Sequence, residues 1–367
     1  MAFVHTKTLE EVLTTLPIIE PFDFEVFSSI GEVDYFISTL GFERRSLAFP
    51  ELFAVNHIQA AHSLYLKYGT NDEDNQTNLT KLLFALWKIS PSGVDSLFVD
   101  VPEFHSALLI HLRAHLGRTN RVPHVVVDIS AAASRAILRT LNALLSLDIR
   151  LTILYAEAAI YRPTLEEFRK NKAGWATDEE LGLERGISEV SIPPEFSGDH
   201  FDNLRDCVIL FPAFKRERSV HVLDHVDPSL VRSMDDRVVW IFGIPPEDSN
   251  KWRTDAIKSI HNVPVSCHQY AVSTLDYKKT LDVLEKVFRE KRLLSKFSIS
   301  PLGSKCQSLG VALFHYLHPD IRILFAVPKE YGSNHYSDGE GAKWLVSFDT
   351  AVLRASLDSI GCISIVD

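Results

Sequence analysis

Arginine, lysine, serine and tyrosine recur where apolar runs of this sequence give out. "GFERRS" (41–46) carries Arg44, Arg45 and Ser46, and "AFKRERS" (213–219) carries Lys215, Arg216, Arg218 and Ser219. "SAAASR" (130–135) ends in Ser134 and Arg135, and "SPLGSK" (300–305) ends in Ser304 and Lys305. "AAIYRPT" (158–164) holds Tyr161 and Arg162, and "KEYGSNHYSDGEG" (329–341) holds Tyr331, His335 and Tyr336. Guanidinium forks, ammonium groups and hydroxyls are the groups that bind phosphate, and aromatic rings stack on bases. Taken singly, each basic residue reads as a solvated loop side chain. As a set on a chain of net charge −10, they point to a polyanion site. Gly303 reads either as a close approach to a ligand or as turn punctuation. Gly310 reads as a helix–sheet contact.

These loops need elements to hold them. Short apolar runs at 33–39, 63–68, 96–101, 124–130 and 151–157 read as strands buried on both faces, as in a parallel sheet. Between them, Leu79, Leu82, Leu83 and Leu86, and then Ile137, Leu138, Leu141, Leu144 and Leu145, fall on helix faces. The second half repeats the pattern, with strands at 207–212, 237–243, 265–271, 296–300 and 322–327. A helix there buries Tyr277, Leu281, Leu284 and Phe288.

The halves align. "DISAAASR" (128–135) matches "SISPLGSK" (298–305), and "ILYAEAAIY" (153–161) matches "ILFAVPKEY" (323–331), both at an offset of 170. This alignment pairs Ser134 with Ser304 and Arg135 with Lys305. "EVSI" (189–192) and "LVSF" (345–348) read as a sixth strand in each half. The expected fold class is α/β, with two tandem Rossmann-like parallel-sheet units related by internal duplication. The expected divisions are a leading helical segment at 1–30, a first unit at 31–161, a connection with a short helix and an extra strand at 162–206, and a second unit at 207–367. Each of these loops then falls at the carboxyl ends of strands, where open α/β sheets bind ligands.

Other chemistries find little support. Hydrophobic residues are 46% and charged residues 23%, an ordinary globular composition, and the acidity argues against general nucleic-acid binding. The scattered Cys207, Cys267, Cys306 and Cys362 read as reduced thiols, no apolar run has the length of a membrane span, and no secretory pattern opens the chain. A cytoplasmic protein with no membrane partner is expected. "HLRAH" (His111, His115) and "HVLDH" (His221, His225) have metal-ligand spacing but no third ligand in sequence, and read as helix-surface histidines. P-loop, dinucleotide-fingerprint and nucleophile-elbow patterns are missing, so no cofactor and no metal are expected.

A strand ending in "VDIS" or "FSIS", a turn with Ser-Arg or Gly-Ser-Lys, a helix, and a strand "ILYA" or "ILFA" resemble the fourth-strand region of the CRISPR-associated Rossmann fold (CARF) sensors. The usual pattern there is Asp-x-Thr-Gly-Gly-Thr-Lys. The related SAVED domains fuse two such units in one chain. The resemblance spans most of residues 33–348 as architecture. It implies a cytosolic sensor or adaptor of bacterial antiviral defence that binds a nucleotide-like anion, cyclic oligonucleotides included, between its halves. It implies ligand contacts from Arg44–Ser46, Ser134, Arg135, Arg216–Ser219, Ser304 and Lys305, with Tyr331 and Tyr336 nearby. Ala131–Ala133 stand where that family has glycines. Two units leave no residues for an effector, so a separate effector protein is implied. Two alternatives remain: a ring-nuclease-like phosphodiesterase using Ser304, Lys305, Arg218 and Ser219, and a non-catalytic structural subunit.

Overall fold

The computed structural model describes residues 6–29, 31–117, 121–170, 184–199, 203–332 and 336–360. His335 and Cys362 lie outside them. Helix α1 (Leu9–Thr15), strand β1 (Glu20–Pro21) and α2 (Phe24–Ser29) lead into an alternating series. The series is β2 (Val33–Thr39), α3 (Ala48–Val55), β3 (Ala60–Lys67), α4 (Asp72–Ile89), β4 (Val94–Phe98), α5 (Phe104–Leu116), β5 (His124–Asp128), α6 (Ser134–Leu144) and β6 (Arg150–Ala156). A connection follows with β7 (Ile160–Tyr161), α7 (Leu165–Lys170) and β8 (Glu184–Ser191).

The second series is β9 (Arg205–Phe211), α8 (Arg216–Val226), α9 (Ser229–Arg232), β10 (Val238–Ile244), α10 (Trp252–His261), β11 (His268–Ser273), α11 (Tyr277–Lys291), β12 (Ser295–Pro301), α12 (Lys305–Leu317) and β13 (Arg322–Ile323). The chain ends with β14 (Phe325–Tyr331), β15 (Ser337–Asp338), β16 (Lys343–Asp349) and α13 (Thr350–Asp358).

The result is an α/β fold of two separate sheets flanked by helices, a generic Rossmann-like arrangement. In the first sheet β6, β5, β2, β3 and β4 lie side by side and parallel. In the second, β13, β12, β9, β10 and β11 do the same. Counted along each series, both sheets have the order third, second, first, fourth, fifth. All seven residues of β2 are buried, as two-faced burial requires.

The sixth strands are exchanged rather than added in place. β16, from the end of the chain, pairs antiparallel with β6 of the first sheet, and β1 closes its far side. β8, from the connection, pairs antiparallel with β14, which continues the line of β13. Each fifth strand would otherwise present an open edge, and each is covered by a segment that follows the other series. A short pair, β7 with β15, crosses in the same way. One hydrophobic core joins the two sheets: Ile137, Leu141 and Leu144 of α6 share it with Tyr277, Leu281 and Leu284 of α11 and Leu309 and Leu313 of α12. Gly310 makes the close contact between helices, not with a sheet. A Cβ there would lie 2.6 Å from the Tyr277 carbonyl oxygen and 2.7 Å from Thr280 Cβ.

Among the described residues, no helix is long and apolar enough to cross a membrane.

Candidate functional site

The carboxyl ends of the two sheets meet, and two cavities lie between them. The smaller, about 150 Å³, is walled by Tyr68, Ala131–Arg135, Arg218 and Tyr331, among others. The larger, about 340 Å³, is walled by Arg45, Tyr155, Tyr161, Arg162, Phe214, Lys215, Arg253 and Gln307, among others. Leu302, Gly303, Lys305 and Tyr336 line both, so the α12 turn is the partition between them.

That turn is built from its own residues. Ser304 is the N-cap of α12: its hydroxyl accepts from the Gln307 N–H at 3.1 Å and donates to the Thr274 carbonyl at 2.6 Å. Gln307 Oε1 accepts in return from the Ser304 N–H at 2.9 Å, completing a capping box. Gly303 makes room for this pair, since a Cβ would sit 2.6 Å from Gln307 Oε1 and 3.1 Å from Phe211 Cβ.

Lys305 reaches across the cleft. Its ammonium donates to the Ala132 carbonyl, at 2.5 Å, in the matching turn of the first series. Burial, with the neighbouring Arg45 charge, pulls Lys305 down from the usual lysine range to about 7, while Glu43 and Asp128 oppose the change. Burial pushes Asp128 up to about 7 against the Ser130 hydrogen bonds and the charges of Lys305 and Arg45.

The other basic residues are largely paired internally. Arg45, buried, forks onto Glu43 at 2.7–3.1 Å. Arg44 pairs with Glu51 at 2.5 Å and Glu340 at 3.4 Å. Arg135 pairs with Asp100, and Arg162 with Glu167 and Asp338. Arg218 pairs with Glu184 at 3.0 Å and donates to the Ala326 carbonyl at 2.9 Å, which fixes β14. The expected open basic edge is therefore mostly neutralised by carboxylates from neighbouring loops. Ionic partners at 3–4 Å recover much of the cost of bringing guanidinium groups together.

The structure gathers Arg45, Ser134, Arg135, Arg218, Ser304, Lys305, Tyr331 and Tyr336 around the two cavities. Arg44, Ser46, Arg216 and Ser219 line neither. The Ser46 hydroxyl donates to the Gly41 carbonyl at 3.0 Å and braces the β2 turn. Ser219 is buried in α8. Tyr331 is tied to Asn71 through its backbone at 2.7 and 2.8 Å, joining the two series. Tyr336 lies edge-on to Phe42 and Tyr331.

The equivalence of Ser134 with Ser304 also changes. The cap of α6 is Ala133, with φ −69° and ψ 154°; that of α12 is Ser304, with φ −73° and ψ 160°. Cap geometry thus equates Ala133 with Ser304 and Ser134 with Lys305. The caps are displaced by one residue from the alignment by letters.

Arg253 and Tyr68 escaped the sequence reading. Arg253 donates to the carbonyls of Tyr161, Arg162 and Pro163 at 2.7–3.3 Å and lies over Phe214, 4.5 Å from its centroid. Burial lowers it to about 10. The Tyr68 hydroxyl accepts from the Ala133 N–H at 2.8 Å. Both residues follow the second strand of their series, whereas the sequence motifs lie after the first, fourth and fifth.

No family model matches the chain, and no curated protein does. Solved structures to which it is similar include the cytoplasmic domain of a prokaryotic cation chloride cotransporter. That match is 9% identical, with a TM-score of 0.23, over 83% of this chain and 99% of that one. Another is UDP-GlcNAc 2-epimerase from Methanocaldococcus jannaschii, 13% identical with a TM-score of 0.22, over 80% of this chain and 83% of that one. Likeness at this level carries no argument about fold or function.

Proposed function

We propose that the chain is a binding module: a sensor or adaptor that takes a nucleotide-like anion in the cleft between two Rossmann-like units derived by internal duplication. The observation that carries this reading is Lys305. Its buried ammonium has one carbonyl acceptor and, among the described residues, no carboxylate partner within 4.0 Å, yet it stands in the wall of both cavities. Two further donors in the larger cavity's wall, Arg45 Nη1 and Gln307 Nε2, are buried without hydrogen-bond partners. A phosphate accepts from all three kinds of donor, and Tyr155, Tyr161, Phe214 and Tyr336 supply rings for a base. A volume near 340 Å³ suits a small ligand. The exchanged strands hold both walls of the cleft together, so ligand binding stiffens or tilts the units as a pair, and a separate effector protein reads that change. The defence setting and the preference for cyclic oligonucleotides rest on the CARF and SAVED resemblance alone.

A phosphodiesterase needs a nucleophile-positioning hydroxyl, and that of Ser304 is already engaged as a cap. Binding without cleavage is the reading the geometry favours.

The test is a calorimetric titration of mononucleotides, cyclic dinucleotides and cyclic oligonucleotides into the wild type and Lys305→Met. At least one ligand is expected to bind the wild type and to bind the variant about 10- to 100-fold more weakly, the range for a charged hydrogen bond. Absence of binding across the panel, or equal affinity for both proteins, overturns the reading.

A further inference from the structure

We propose a second site, for a divalent transition metal such as zinc, formed by His62, Asp95 and His115 on the first sheet. It lies at the opposite edge from the cleft, because His62 and Asp95 stand near the amino-terminal starts of β3 and β4. Tyr35 is directly paired with His62 across the β2–β3 ladder, and Asp95 sits opposite Leu64. α5 packs over this face and brings His111 and His115, one turn apart.

The donor atoms of His62, Asp95 and His115 all lie within 4.8 Å of one another. His62 Nε2 is 2.9 Å from Asp95 Oδ2, and His111 Nδ1 is 3.8 Å from the same oxygen. Ligands held at about 2.0–2.2 Å by tetrahedral zinc stand roughly 3.3–3.6 Å apart, and the His62 and His115 rings, stacked at 3.8 Å with 19° between their planes, must unstack and rotate before both nitrogens converge on one ion. Two imidazoles and a carboxylate are a recurrent zinc donor set, and imidazole nitrogen suits this class of metal. Of the "HLRAH" pair only His115 joins the set, and its two companions come from β3 and β4.

Two independent features mark the place as built. The Tyr35 hydroxyl is buried there without a hydrogen-bond partner, its ring 5.3 Å from that of His62 and 5.8 Å from that of His115. Gly93 leaves the space that the His62 ring fills: a Cβ would lie 2.7 Å from His62 Cε1 and 2.9 Å from its Nδ1. A His–Asp hydrogen bond alone does not account for the orphaned phenol.

The test uses the full chain, stripped with chelator and titrated with cobalt(II), then with zinc in competition. One equivalent of cobalt is expected to give the intense visible absorption of a tetrahedral site, and zinc to displace it. His115→Ala and Asp95→Asn, both at partly exposed positions, are expected to weaken binding at least about tenfold while circular dichroism is unchanged. His221→Ala, in the other histidine pair, is expected to bind as the wild type does. Zinc is expected to raise the melting temperature of the wild type and not of His115→Ala. No saturable uptake, or uptake that survives both His115→Ala and Asp95→Asn, overturns the proposal.

Discussion

The turn from β5 to α6 and the turn from β12 to α12 occupy the same place in two sheets of the same strand order, and they solve the same problem differently. The second turn caps its helix with a side chain and sends a lysine away from its own helix. The first has an alanine cap with no side-chain hydrogen bond, and its backbone is held from outside by the Tyr68 hydroxyl and the Lys305 ammonium. The first turn also buries a carboxyl group, Asp128, folded back on the Ser130 N–H at 2.9 Å. Between Ser298 and Ser304 the second turn has no acid. The difference teaches that matched positions in two like frames need not keep matched roles. One turn supplies a charge, and the other supplies the carbonyl that receives it.

The largest effect should come from Asp128→Asn. Folded Asp128 keeps its proton up to about pH 7, whereas the unfolded residue releases it in the ordinary aspartate range near 3.8. Between about pH 4 and 7 the folded state therefore binds more protons, and stability falls as pH rises through that window. At about 1.4 kcal/mol for each tenfold change, the loss amounts to a few kcal/mol. Asparagine keeps the acceptor for Ser130 and removes the titration. Urea unfolding from pH 4 to 8 should show a flatter profile for the variant, and a slope equal to that of the wild type would remove Asp128 from the comparison.

Lys305→Met breaks the other side. Folded Lys305 loses its proton near pH 7 and the unfolded residue near 10.5. Between these values the unfolded state binds more protons, so wild-type stability rises with pH through that window, again by a few kcal/mol. Below pH 7 the folded protein carries the full cost of the buried charge. Lys305→Met should flatten the rise and be at least as stable as the wild type at pH 7, despite losing the bond to Ala132. A bound anion should have the opposite effect and draw a proton onto Lys305. Calorimetry at pH 8 in buffers of differing ionisation heat should detect that uptake in the wild type and not in the variant.

Gly303→Ala probes the packing beneath the second turn. The new Cβ collides with Gln307 and Phe211, which opens the capping box, so a loss of about 1–2 kcal/mol is expected from the cap alone. By cap geometry the corresponding position in the first turn is Ala132, which already carries a Cβ. Ala132→Gly should cost less, on the order of 0.5–1 kcal/mol from added backbone freedom. Equal losses in denaturant unfolding would mean that both turns are packed alike.

These contrasts also mark what could be read in advance. The strand at 33–39 was legible to the residue, and the Ile137–Leu144 stripe is buried as its spacing implied, because burial on a fixed period leaves a regular trace. The exchange of β8 and β16 was not legible, since an antiparallel partner can come from any point in the chain and "EVSI" carries no address. The candidate site was half legible. Basic residues at carboxyl-edge loops did gather around cavities, but the carboxylate partners Asp100, Glu184 and Asp338 lie far off in sequence, by 176 residues in the Arg162–Asp338 pair, and so give no local signal. The one-residue displacement of the caps was hidden because Ser134 and Ser304 match by letter.

That displacement supplies the smallest and sharpest contrast. If Ala133 rather than Ser134 corresponds to Ser304, the two positions should respond oppositely to exchange. Ser304→Ala removes a hydroxyl that accepts from Gln307 N–H and donates to the Thr274 carbonyl. It should cost about 1 kcal/mol, as N-cap serines commonly do. Ala133→Ser places a hydroxyl in the same extended cap conformation, within reach of the N–H three residues on, at Ala136. It should gain about 0.5 kcal/mol, less than Ser304→Ala loses, because Ala136 cannot return the reciprocal bond that Gln307 makes. Ser134→Ala should change little, since the side chain is past the cap and inside the first turn of α6. Thermal and urea unfolding of the three variants decides the register. A Ser134→Ala loss matching that of Ser304→Ala, with no gain from Ala133→Ser, would restore the alignment by letters and make Ser134 the true counterpart.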